Sequence, residues 1–165
     1  MSFDPLLSAP LAIQLHVFTV VPAAFLGAYI FTHRKGTPLH RLLGKIWIAL
    51  MVVGALSSFF IHTIRVWGDF SPIHILSVFV LLASVKAVYS ARKGNIKAHR
   101  GVVTSMYLGG IVGAGLFTFL PGRLMNAVFL GGYDFSTVPS AAALAPAVLI
   151  VALFIFGGQA AWRAR

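Results

Sequence analysis

Residues 42–64 read LLGKIWIALMVVGALSSFFIHTI, a run with no acid and a single Lys or Arg, Lys45, about one turn inside its start. About 20 mostly apolar residues in a helix cross the hydrocarbon core of a bilayer, and this run supplies them. Four further runs are of the same kind, at residues 11–32, 73–90, 102–120 and 140–162. The runs at 73–90 and 102–120 are short and need little tilt. Composition agrees: the 165 residues are 59% apolar and 10% charged, with a mean hydropathy of +0.92. A soluble domain is nearer a quarter charged, and one of this size still exposes roughly a third of its surface. Most of this chain therefore has lipid as its solvent. The lack of cysteine excludes a disulfide scaffold.

The segments between the runs have plain turn chemistry: HRKGTP at 33–38, RVWGDFSP at 65–72 and ARKGN at 91–95. Short loops between successive spans make neighbours of them. The expected fold is a single all-α transmembrane domain over 1–165, an up-down bundle of five helices with a four-helix core. Residues 123–130 form a short interfacial helix in this reading. The run at 11–32 is not read as a cleaved signal peptide, since basic residues follow it rather than precede it.

Charge sets the orientation. Arg34, Lys35, Arg41, Lys45, Lys86, Arg92, Lys93, Lys97, Arg100, Arg163 and Arg165 fall on one side, and only Arg65 and Arg123 on the other. Asp4, Asp69 and Asp134 share that second side. Basic residues mark the cytoplasmic face, so five spans put the N-terminus outside and the C-terminus in the cytoplasm. Aromatic residues near the boundaries, among them Tyr29, Trp47 and Tyr89 toward the inside, read as interfacial anchors. The net charge of +10 is then a topology signal, and nucleic acid is not an expected partner.

No carboxylate lies inside a run, which removes the usual intramembrane proton and cation relays. Histidine remains, with six in the chain. His16, His62 and His74 fall near the outer surface, His33, His40 and His99 near the inner one. Thr37-Pro38-Leu39-His40 and Ser71-Pro72-Ile73-His74 each place a capping hydroxyl, a proline at the first helical position and a histidine at the third. Asn95 caps a further helix with His99 at its fourth position. A helix N-terminus disfavours the imidazolium, and neutral imidazole is the form that binds metals.

In a four-helix core, the first and third spans are diagonal and parallel, and so are the second and fourth. His40 can then face His99 at the inner level, and His74 can face His16 or His62 at the outer one. Opposed imidazoles are what axial ligation of haem requires. Gly54 and Gly113 lie fourteen residues after His40 and His99, close to four helical turns, and would give a porphyrin room. Arg41, Arg65, Arg100 and Arg123 are candidate partners for propionates. Two other readings compete. The first is a cofactor-free accessory or scaffold subunit of a larger membrane complex, or a homo-oligomer, since Gly109-x-x-x-Gly113 is also a packing pattern. The second is an outer tri-histidine metal site of His16, His62 and His74 with an open position for water.

The order His40-Arg41-x-x-Gly44-Lys45-x-Trp47, then His62, then His74-x-Leu76, then His99-Arg100 resembles a bacterial family of predicted membrane proteins of unknown function. That family is more distantly similar to two-haem transmembrane b-type cytochromes. The resemblance implies haem b and electron transfer, with a quinone or a partner oxidoreductase. It points to His16, His40, His62, His74 and His99 as ligands, in a bacterial cytoplasmic membrane. An electron carrier or subunit is expected rather than a stand-alone enzyme.

Overall fold

The computed structural model describes residues 3–62, 72–120 and 123–131, and all regular structure among them is helical. In chain order the elements are α1 (Asp4–Leu7), α2 (Leu11–Thr32), α3 (Pro38–Ser58), α4 (Pro72–Arg92) and α5 (Ile96–Ser105). A π-helical stretch, Met106–Gly113, then leads into α6 (Ala114–Phe117), and α7 (Leu124–Leu130) follows. Four stretches are long and apolar enough to cross a membrane: Leu11–Thr32, Pro38–Ser58, Ile73–Arg92 and Ile96–Phe117. They correspond to the first four apolar runs. The fifth run, 140–162, lies outside the described residues, so the described residues hold four candidate spans.

The helix boundaries follow capping chemistry more closely than hydropathy. Helix α3 begins four residues before its apolar run, because the Thr37 side chain accepts from the His40 backbone N–H at 3.1 Å and Pro38 occupies the first turn. It ends at Ser58 in a tight turn, with Phe60 N–H bonded to Ser57 O and Ile61 N–H to Ser58 O. His62, expected in the last turn of this span, therefore lies beyond the helix. Asn95 caps α5 as its position predicts, its Oδ1 accepting from Ala98 N–H at 3.0 Å. Gly94 reverses the chain between α4 and α5 at φ +70°, a conformation that costs glycine least.

Contacts divide the chain into two units, Leu11–His99 and Met1–Pro10 with Arg100–Arg165. In the first, α3 packs against both α2 and α4. The α2–α3 seam is built on small residues. A Cβ added at Gly54 would meet Val20 Cγ2 at 2.9 Å and Thr19 Oγ1 at 3.3 Å. Ala23 is fully buried, and its carbonyl accepts from Trp47 Nε1 at 3.0 Å. Close backbone approach through small residues is how helices associate where lipid removes the hydrophobic drive. Trp47 is thus no interfacial anchor: it is 3% exposed and spent on the neighbouring helix. Tyr29 and Tyr89 are exposed, in keeping with a boundary position. The α3–α4 seam carries alanines and serines, and Ser58 and Ser77 share a hydroxyl–hydroxyl hydrogen bond.

In the second unit, α1 packs on α7, with the rings of Phe3 and Phe129 edge to face at 6.4 Å. Helix α7 is the short helix expected at 123–130, and Gly131 closes it at φ +66°.

Candidate functional site

Five of the six histidines were expected as ligands, and all five lie in the unit of α2–α4. His16 projects from α2 onto α3. Its Nδ1 lies 2.8 Å from Gly54 O and 3.3 Å from Ser57 Oγ. A carbonyl oxygen only accepts, so Nδ1 carries the proton. The Ser57 hydroxyl itself donates to Gly54 O at 2.9 Å. His99, in α5, reaches back to α4 in the same manner, its Nδ1 donating to Ala87 O at 2.9 Å. Both rings therefore hold the tautomer that leaves the lone pair on Nε2. A second-shell bond from the far ring nitrogen to a carbonyl is the usual support of a metal-ligating imidazole.

His40, at the third position of α3, lies within electrostatic range of His99 and Lys35. His40 stands in the first turn of α3 and His99 in the first turn of α5. At the other end of α3, the buried His74 has the ring of His62 beside it, centres 5.9 Å apart and planes 23° from parallel. Phe59 flanks His74 at 5.8 Å. His33 makes only local contacts: its ring stacks on Tyr29 at 3.7 Å, and Nδ1 donates to Tyr29 O at 2.8 Å.

Three positions differ from the sequence-based expectations. Among the described residues, no group of three His, Cys, Asp or Glu side chains is placed to hold a metal. The outer trio does not assemble, because the Nδ1 edge of His16 is turned onto the α3 backbone while His62 and His74 pair with each other. The flank of Gly54 is filled by Val20 and Thr19 of α2, so that glycine admits a helix. Gly113 ends the π-helical stretch. Hydrogen bonds from i to i+5 turn the chain less per residue than an α-helix does. Fourteen residues from His99 therefore do not return Gly113 to the same face.

Arg41 and Arg100, each next to a histidine in sequence, are solvent-accessible. Arg65 lies outside the described residues. The Arg123 guanidinium sits over the Phe117 ring at 4.7 Å, and burial pushes its pKa below the ordinary value. The signal that sequence reasoning passed over is the pair of carbonyls at Gly54 and Ala87. Backbone acceptors leave no mark in residue identity.

The histidine order that carries the resemblance lies within residues 13–155, which match the model of a family described as predicted membrane protein (DUF2306). No curated protein and no solved structure matches the chain. With four apolar helices of spanning length and a family match over most of its residues, the chain belongs to the DUF2306 family of predicted membrane proteins.

Proposed function

We propose that this protein is a haem-b-binding electron carrier of the bacterial cytoplasmic membrane, with histidine ligands from separate helices. The observation that carries this reading is the matched tautomers of His16 and His99, fixed by Gly54 O and Ala87 O. Ring nitrogens held this way suit ligation by Nε2. His40 and His99 would hold one group at the basic end, and His74 with His16 or His62 another at the far end. The likeness to two-haem cytochromes rests on this histidine pattern alone.

Haem iron, when bound, supplies one-electron redox chemistry. The chain's own residues do the rest. The Ala87 carbonyl orients the His99 ring, and the Gly54 carbonyl and Ser57 hydroxyl orient that of His16. Arg41 and Arg100 offer guanidinium forks for carboxylates at the basic end. A quinone or a partner oxidoreductase would exchange the electron. The five-span count and the outside N-terminus belong to this proposal.

The test is the absorption spectrum of the detergent-purified protein, with acid-extracted haem counted per chain. A Soret band that shifts on reduction, lost in His99→Ala, is expected. A colourless protein without extractable haem overturns the reading. The filled flank of Gly54 favours a second reading, a cofactor-free accessory subunit whose spans serve only to pack. A colourless protein that copurifies with a stoichiometric partner would establish that one instead.

A further inference from the structure

Between α3 and α4, away from the α2 seam, lies an open trough of about 410 Å³. Ile48 and Val52 form one wall, Val85 and Val88 the other, and Tyr89 and Arg92 stand at one end. The volume falls in the range of small-molecule sites, roughly 300–1,000 Å³. Its lining runs from Ser84 to Arg92 on α4 and from Ile48 to Val52 on α3, so it extends about 12 Å along α4. Val85 and Tyr89 are 70% and 61% exposed, so the trough opens to the bilayer side of the pair.

Its polar end is uniformly basic. Helices α3 and α4 run in opposite directions, so the start of one meets the end of the other. Lys45 and Arg41 are three and seven residues before Ile48, on the same face of α3, and both are exposed. Arg92 stands opposite, and the Lys93 ammonium rests over the Tyr89 ring at 5.8 Å. No Asp or Glu occurs between residues 5 and 68 or between 70 and 133.

We propose that this trough seats one acyl chain of an anionic phospholipid, whose phosphate lies among Lys45, Arg92 and Lys93. Charge selects the occupant. A second copy laid on this end would bring the same bases to it, and the run at 140–162 is followed by Arg163 and Arg165. Either would place cation against cation. An anionic headgroup neutralises the cluster, and basic pockets between spans are suited to such headgroups. The proposal stands whether or not haem is bound.

The test uses the full chain in nanodiscs of equal phosphatidylglycerol and phosphatidylcholine, with retained lipid counted by native mass spectrometry. Phosphatidylglycerol should exceed phosphatidylcholine on the wild type by at least about fivefold, the attraction of one basic residue near an anionic surface. The K45Q/R92Q double variant should lose that preference, and Val88→Trp should retain less of both lipids. Equal retention by the wild type overturns the proposal without recourse to any variant, and so does an undiminished preference in K45Q/R92Q. Inorganic phosphate should leave the melting temperature unchanged. A rise equal to that given by phosphatidylglycerol would make this a free-anion site and defeat the lipid assignment. A disulfide-linked dimer of Val88→Cys, in a chain otherwise without cysteine, would put a second copy in the trough and defeat it too.

Discussion

Helix α3 shows two different faces to its two neighbours. Toward α2 it is closed: Gly54 admits Val20 to contact distance, Trp47 spends its N–H on Ala23, and His16 spends its own on Gly54. Toward α4 it is closed only at the Ser58–Ser77 end and parts into the trough at the other. The closed seam has two bonds from side chain to backbone, His16 to Gly54 and Trp47 to Ala23, so it depends on where the main chain lies. The open seam is bridged between hydroxyls, those of Ser58 and Ser77, which tolerate shifts. The first seam is therefore the tighter of the two, and the second leaves the open volume between α3 and α4.

Substitutions along α3 should separate the two seams, read as melting temperature in detergent micelles. The largest effect is expected at Trp47→Ala, which empties a buried site and removes the bond to Ala23; losses of about 3–5 kcal/mol accompany such truncations. Gly54→Ala comes next. Its Cβ lands 2.9 Å from the stiff Val20 side chain, and overpacking of this kind costs about 1–3 kcal/mol. Gly44→Ala, in the same helix, meets nothing within 4 Å and should raise stability by about 0.4–1 kcal/mol, because it restricts the unfolded chain. A Gly44 variant as damaging as the Gly54 one would erase the contrast between open and closed faces. The smallest effect belongs to a Ser58→Ala, Ser77→Ala double-mutant cycle, with a coupling of about 0.6 kcal/mol. A coupling as large as the Trp47 loss would make the second seam as tight as the first.

Much of this was legible in the sequence because apolar run length is a direct demand of the bilayer, and four described helices meet it. The caps were legible too, since Thr37-Pro38 and Asn95 carry their chemistry in their own side chains. What escaped depends on three-dimensional neighbours. Trp47 was read as a boundary residue from its place near the start of an apolar run. Its burial against α2 and its bond to Ala23 O depend on the neighbouring helix and leave no mark in its own run. The π-helical stretch over Met106–Gly113 had no marker beyond its glycines, and it broke the periodicity on which the alignment of His99 with Gly113 depended. The contact of His62 with His74 agrees with their placement at facing run boundaries, whereas the orientation of His16 turned on a main-chain acceptor.

The burial of Trp47 gives the protein an internal optical gauge. The chain has three tryptophans, Trp47, Trp67 and Trp162. With the other two replaced by phenylalanine, the remaining fluorescence comes from one indole clamped between two helices. Its emission would stay blue while α2 and α3 hold together and redden as water reaches the ring. A porphyrin nearby would darken it, so a single cuvette could follow both helix separation and pigment uptake.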